Sequence, residues 1–297
     1  METIGFIGLG IMGRPMSKHL VAAGLTVIGY DVMPENLKKA AAYGVKAADS
    51  VADLAKQCSI IINMLPTPAI CINTALGSGG IAENAPKGTL VLDMSSLSPM
   101  TAKEINAGLE PAGISFMDAP VSGGEPKAID ATLSIMVGGK QADYDRALPI
   151  LNVMSSSVIR VGDVGAGCIA KLANQIMVGV NIAAMGEALT LAARAGVDPG
   201  LVFEAVRGGL AGSTVLEAKG PMVLERNYEP GARMEIHIKD FVNVLDTAHA
   251  VSSPTPLTAS VMEMMQSLKA NGMGQIDHGG IIRFYEMAAN VEVKRGK

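Results

Sequence analysis

The sequence predicts an α/β protein: a doubly wound parallel sheet in its N-terminal half, an all-helical C-terminal region, and one long helix between them. Three observations predict it. Short β-branched apolar runs alternate with Ala-rich amphipathic segments through the N-terminal half, the pattern of βαβ units around a parallel sheet. From about Cys168 to Ala195 runs a stretch of Ala, Leu, Met, Val and Ile with no proline, which reads as a single helix. Beyond it the apolar spacing stays helical. A chain of 297 residues exceeds the usual size of one core, and we divide it at 1–162, 163–194 and 195–297.

Strands are expected at about 3–7, 26–30, 45–48, 59–64, 89–94 and 114–118, with helices between them. Two more, near about 133–138 and 157–161, extend the sheet, separated by the helical stretch Gln141 to Met154. At ~1.5 Å per residue the long helix measures roughly 40 Å, enough to bridge domains or subunits. After it, Asp198-Pro199 reads as an N-cap with proline in the first turn, and Ser213, Pro221, Asp240 and Ser253-Pro254 are expected to punctuate the later helices.

Composition narrows the function. Aromatic residues are 3% of the chain and Trp is absent, which suits a close-packed enzyme better than an aromatic-lined binder. A net charge of −4 without a block of like charges offers no footprint for nucleic acid or for an acidic membrane surface, so small-molecule partners are expected. Cys58, Cys71 and Cys168 are isolated, which predicts neither disulfides nor zinc and points to a reducing compartment. The first strand has no basic stretch before it, and no apolar run reaches eighteen residues. A cytoplasmic protein that does not cross a membrane is the expectation. His19, His237, His249 and His278 share no ligand spacing, and no metal site is expected.

Gly8-Leu9-Gly10-Ile11-Met12-Gly13 follows the first strand and opens a helix. Gly8 permits the tight turn, Gly10 lets backbone approach a pyrophosphate, and Gly13 lets helix pack on strand, while the helix N-terminus favours phosphate charge. The plain alternative is a glycine turn. Asp31 ends the second strand eighteen residues after Gly13, where a carboxylate would accept from ribose hydroxyls and repel a 2′-phosphate. Neither Val32 nor Met33 supplies a guanidinium, so NAD (as NADH) is expected over NADP, with Lys38 and Lys39 as the features against.

Asp118-Ala-Pro-Val-Ser122-Gly123-Gly124 is a strand end followed by small residues, a loop that can hold a carboxylate through backbone N–H groups and the Ser122 hydroxyl. Taken alone, it reads as an ordinary turn. Near the start of the long helix, Lys171, Asn174 and Gln175 stand at i, i+3 and i+4, on one side among apolar neighbours. A buried lysine there would exchange a proton with a substrate oxygen while the amides orient it; the alternative is a lysine that snorkels to solvent. Lys239, beside Asp240, either reaches the cofactor or forms a surface pair. Gly208 to Thr214 is either a cleft loop or a helix stop and restart.

Taken together, Gly5-Phe-Ile-Gly-Leu-Gly-Ile-Met-Gly13, Asp118 to Asp130, Lys171-Leu-Ala-Asn-Gln175, Arg207 to Leu216 and His237-Ile-Lys-Asp240 resemble the β-hydroxyacid dehydrogenase family over the full chain. The resemblance implies a Rossmann-type NAD-binding domain, a long interdomain helix and a helical C-terminal domain that makes a homodimer or homotetramer. It places Lys171 on the catalytic lysine, and Ser122, Gly123 and Gly124 on the substrate-carboxylate loop. Leu65, Pro66 and Ser96 fall on loops that line the cofactor, and Lys239 on a lysine near the nicotinamide. Many relatives have Asn four residues after the lysine. This chain has Gln175 there, with Asn174 just before it, and either amide is open as the substrate contact. The subgroup motifs imply reversible NADH-dependent reduction of tartronate semialdehyde to D-glycerate. Oxidation of 3-hydroxyisobutyrate, reduction of succinic semialdehyde or glyoxylate, and a nucleotide-binding protein without catalysis are the alternatives.

Overall fold

The computed structural model describes residues 2–296 and divides into two compact units, 1–171 and 172–297. In the first, strands and helices alternate: β1 (Thr3–Ile7), α1 (Gly13–Ala22), β2 (Thr26–Tyr30), α2 (Pro34–Ala41), β3 (Lys46–Ala47), α3 (Val51–Gln57), β4 (Ile60–Asn63), α4 (Pro68–Leu76), α5 (Ile81–Asn84), β5 (Leu90–Asp93), α6 (Pro99–Leu109), β6 (Ser115–Asp118), β7 (Val121–Ser122), α7 (Gly124–Ile129), β8 (Leu133–Gly138), α8 (Gln141–Leu151) and β9 (Ser155–Gly162). The sheet order is β3-β2-β1-β4-β5-β6-β8-β7, with β9 on β8. The run from β3 to β6 is wholly parallel, and its order reverses between β1 and β4, the crevice where open α/β sheets bind ligands.

Both faces of this sheet are covered, which explains its near-continuous apolar strands. Ile60, Ile62, Leu90 and Leu92 pack on one face with Met16 and Leu20 of α1 and Ile150 of α8. Ile61 and Val91 pack on the other with Leu54 of α3, Cys71 of α4 and Ile105 of α6. The expected extension past β6 is there, but β8 runs antiparallel to β6, and the two-residue β7 pairs antiparallel with β8.

Helix α9 (Ala166–Arg194) begins in the first unit, and the division falls just after its Lys171. It is long and apolar enough to cross a membrane by length and composition, with a mean hydropathy of 1.6 over its best window. Lys171, Asn174, Gln175 and Asn181 interrupt its apolar run, which is why no uninterrupted stretch of eighteen is found in the sequence. Its Ile182, Ala183, Met185 and Leu189 are buried in the core of the second unit. That core is completed by α10 (Pro199–Arg207), α11 (Thr214–Leu224), α12 (Met234–Ala250), α13 (Pro256–Ala270) and α14 (Ile282–Ala289), around Phe203, Phe241 and Met265.

Asp198 and Ser213 cap α10 and α11 as expected, accepting from the N–H groups of Gly200 and Leu216. Gly208 closes α10, so the glycine stretch before Ser213 is a helix stop and restart. Two expected breaks are corrected. Pro221 lies inside α11 and Asp240 inside α12. Pro221 forgoes one intrahelical hydrogen bond, while Gly220 before it lets the helix lie directly on the Phe203 ring. Asp240 is tolerated in mid-helix because its carboxylate is bonded to a side chain of α9.

Candidate active site

The glycine turn between β1 and α1 is built for close approach. Gly8 has φ +94°, and a side chain there would strike the Met64 carbonyl. A side chain at Gly13 would strike the Gly8 carbonyl, so that glycine is needed for the helix to meet the strand. Gly10 is different: among the described residues nothing lies within 4 Å of where its Cβ would be, so the space above it is open. Met12 caps α1 without a side-chain hydrogen bond; of the first turn, the Arg14 N–H donates to the Gly10 carbonyl at 3.0 Å and Pro15 has no N–H to give. Ile11 beside it is 55% exposed.

Asp31 closes the turn from the neighbouring strand. Its Oδ2 accepts from the Leu9 N–H at 2.7 Å and its Oδ1 from the Met33 N–H at 2.8 Å, an arrangement that fixes the carboxylate and leaves a lone pair on each oxygen. Leu65 is packed beside Gly8 and donates its N–H to the Ser95 hydroxyl at 2.9 Å. Pro66 is exposed and Ser96 half-buried, just past the ends of β4 and β5. An open glycine, an uncapped helix start and an acidic acceptor at the end of β2 fit a dinucleotide.

At the end of β6, Asp118 determines how the next part of the site is held. Its carboxylate accepts from the N–H groups of Gly165 and Cys168, both at 2.7 Å, and so caps the start of α9 from a distant strand. Burial pushes this carboxyl above its ordinary range, against the two N–H groups that favour its charged form. Gly167 permits the close approach: a Cβ there would lie 2.5 Å from the Met136 carbonyl oxygen and 2.7 Å from that of Asp118.

One turn later, Lys171 is 9% exposed, and its Nζ donates to the Val121 carbonyl at 2.8 Å. Snorkelling is thereby excluded. The lysine meets the backbone that runs directly into Ser122, Gly123 and Gly124, where the glycines take φ +131° and +66°. The stem of Lys127 lies across Gly123 and leaves no room for a side chain.

Asn174 and Gln175 belong to the second unit. Asn174 Nδ2 donates to Gln175 Oε1 at 2.9 Å, and Gln175 Nε2 donates to Asp240 Oδ2 at 2.7 Å. Lys239 Nζ lies 3.3 Å from Asp240 Oδ1. The two amides, Asp240 and Lys239 thus form one polar cluster between α9 and α12.

Comparison with known proteins gives the family. The family model for the NAD binding domain of 6-phosphogluconate dehydrogenase matches residues 3–162, and that for the NAD-binding region of NADP-dependent 3-hydroxyisobutyrate dehydrogenase matches 165–285. The chain is 38% identical to 2-hydroxy-3-oxopropionate reductase of Escherichia coli, covering 97% of this chain and 98% of that one. It is 33% identical to 2-(hydroxymethyl)glutarate dehydrogenase of Eubacterium barkeri, covering 99% and 98%. The structure of 3-hydroxyisobutyrate dehydrogenase from Mycobacterium tuberculosis with L-serine superposes with a TM-score of 0.88 at 31% identity, over 96% of this chain and 99% of that one. The chain belongs to the β-hydroxyacid dehydrogenase family. It is an NAD(P)-dependent oxidoreductase of hydroxy acids with a small-molecule substrate, and its first unit is the NAD-binding domain.

Within this dehydrogenase Asp118 belongs to a row of polar groups whose other two members, Asn63 and Asp93, the sequence did not point to. Asn63, Asp93 and Asp118 end β4, β5 and β6 and stand in register with one another. All three are fully buried. Asn63 Nδ2 donates to Asp93 Oδ2 at 3.3 Å, and Asp93 Oδ1 accepts from the Ser95 N–H at 2.9 Å. Burial also pushes the Asp93 carboxyl up. Ser95 in turn holds Leu65, so this row sets the loops past β4 and β5. The available signal was positional: each residue is a polar side chain closing an otherwise apolar strand.

Proposed function

We propose that the protein reduces tartronate semialdehyde (2-hydroxy-3-oxopropanoate) to D-glycerate with NADH, reversibly, with Lys171 as proton donor and acceptor. One observation carries the reading: a buried ammonium lies 2.8 Å from the backbone of the loop that would take the substrate carboxylate. Ser122 and the N–H groups of Gly123 and Gly124 bind that carboxylate, and Asn174 or Gln175 orients the rest of the molecule. NADH supplies the hydride that adds to the aldehyde carbon. Lys171 Nζ gives a proton to the forming alkoxide and stabilises its charge; in the reverse direction it removes the hydroxyl proton.

The turn from Gly8 to Gly13, with Leu9, Gly10, Ile11 and Met12, takes the pyrophosphate, Asp31 the adenosine ribose, and Leu65, Pro66, Ser96 and Lys239 the remainder of the dinucleotide. The likeness to the Escherichia coli 2-hydroxy-3-oxopropionate reductase supports this substrate. Likeness to the 3-hydroxyisobutyrate dehydrogenases favours that acid as a second reading. Assembly into a homodimer or homotetramer through the C-terminal helices is part of the proposal.

The test is NADH oxidation by purified protein with tartronate semialdehyde, 3-hydroxyisobutyrate in reverse, succinic semialdehyde and glyoxylate side by side. Tartronate semialdehyde should give the highest kcat/KM, and a higher value with any other acid rejects the substrate assignment. Lys171→Met should keep NADH affinity and lose ~10²- to 10⁴-fold in kcat, the usual weight of general acid catalysis; near-normal turnover refutes the proton role. With NADPH in place of NADH, efficiency should fall clearly, because Asp31 faces the position of a 2′-phosphate. Equal efficiency rejects that reading.

A further inference from the structure

The second unit contains a buried hydrogen-bond chain that the proposed reaction does not use. His237 of α12 and His278, which opens a short 3-10 turn (His278–Ile281), meet through their Nδ1 atoms at 2.7 Å. They are 2% and 7% exposed. Of two nitrogens at that distance one donates and the other accepts. His237 Nε2 lies 3.2 Å from the main-chain oxygen of Gln175, which can only accept, so Nε2 carries a hydrogen. In the neutral pair the rest follows without choice: His237 Nδ1 is bare, and the hydrogen between the rings belongs to His278 Nδ1.

A separate feature of α9 serves the same bond. A Cβ at Gly179 would lie 2.9 Å from His237 Nε2 and 2.5 Å from Phe241 Cζ. The glycine is what allows an imidazole to reach the helix backbone one turn earlier. A carbonyl inside a helix already accepts from the residue four further on, and its second lone pair takes His237. Gln175 is therefore gripped twice from α12: its main chain by His237 and its side chain by Asp240. The charged groups nearby are Asp277, whose Oδ1 is 3.9 Å from His278 Nε2, Lys219 of α11 at 2.7 Å from the same oxygen, and the Lys239–Asp240 pair.

We propose that His278, acting through His237, positions the Asn174–Gln175 turn of α9 and hence the amide that orients the substrate. Both histidines are positioning residues. The inference rests on the reading that one of these amides touches the acid.

Two variants separate positioning from bulk stability. Asn presents its amide nitrogen where imidazole has Nδ1, so His278→Asn keeps a donor toward His237, and His278→Leu removes it. His278→Leu should raise KM for tartronate semialdehyde about 3- to 10-fold, the weight of one hydrogen bond, while KM for NADH stays within about 2-fold. His278→Asn should restore the wild-type KM. An unchanged acid KM in folded His278→Leu overturns the proposal, as does an equal rise for acid and NADH with no recovery in the Asn variant.

Long-range ¹H–¹⁵N correlation on the wild-type protein gives a readout free of activity and of any folding defect in the variants. It should find His278 protonated at Nδ1 and His237 at Nε2; the reverse tautomers overturn the hydrogen-bond order. A chain that reduced none of the acids would sink the proposed function and leave this measurement to decide the pair by itself.

Discussion

Gly167→Ala tests how closely catalysis depends on the seat of α9. The added Cβ would meet the Met136 oxygen at 2.5 Å, the Asp118 oxygen at 2.7 Å and the Gly138 nitrogen at 2.8 Å. All three are backbone atoms, so no side chain can swing aside. Overpacking costs ~1–3 kcal/mol, and rigid neighbours favour the upper figure. Better helix propensity returns up to ~1 kcal/mol. The net is a loss of about 2 kcal/mol, or about 4–8 °C in Tm for a unit of this size.

The geometric effect matters more. To move from 2.5 Å to ordinary contact at 3.4 Å, the first turn of α9 must shift by about 0.9 Å. Lys171 stands four residues on, on the same face, and moves with it. A displacement near ~1 Å at a catalytic group can cost ~10²-fold in rate, so kcat/KM for the acid should fall by roughly that factor while NADH affinity stays put. Thermal melts and steady-state kinetics on one preparation check both parts. Wild-type Tm with wild-type kcat/KM would refute the reasoning.

Gly10→Ala is the counterpart at a position where protein packing is silent. With nothing near its Cβ, Tm should be unchanged, whereas KM for NADH should rise at least about 10-fold as the methyl intrudes on the pyrophosphate; unaltered NADH binding would discard the cradle. Glu2 offers a pH prediction. Arg146 donates to both its oxygens and the Ser59 hydroxyl adds a third bond, which together hold its carboxyl below the ordinary value of 4.5. A lowered carboxyl stabilises the fold fully above about pH 4.5 and loses that stabilisation as pH falls through the folded value. Melts of wild type and Glu2→Gln should therefore differ at pH 7, with the gap closing as pH falls below 4.5. A gap that stays constant with pH counts against the ion pair.

Much of the fold was legible because it depends on short-range pattern. β1, β2 and β8 fall on the residues expected, since short apolar runs bounded by turn residues leave little latitude. The direction of β8 was not legible, because strand pattern carries no sign, and the two-residue β7 is too short to show periodicity. The expected breaks at Pro221 and Asp240 failed for a tertiary reason. A proline is tolerated where a glycine lets the helix settle on Phe203, and a mid-helix aspartate where another helix supplies a donor.

The site divides along the same line. The glycine turn needs only local conformation, and the spacing of Lys171, Asn174 and Gln175 only the helical repeat. Their fixed partners are remote: Asp118 lies 47 residues from Gly165, and Gln175 lies 65 from Asp240. No window of sequence spans those distances.

Asp118 shows how a fold turns remoteness into accuracy. The residue that ends β6, and so begins the loop to Gly124, is also the residue that caps α9. Loop and lysine therefore share one anchor, and an error in the position of one is carried to the other. The Lys171 bond to Val121 closes the circuit from the opposite end, three residues beyond that anchor. The ring contains Asp118, the loop to Val121, Lys171 and one turn of helix, with every junction a hydrogen bond of 2.7–2.8 Å between buried groups. Such a ring resists the sub-ångström drift that would degrade the proton transfer proposed for Lys171. It also explains why glycine is needed at Gly138 and Gly167: each allows backbone to approach where a side chain would force the ring open.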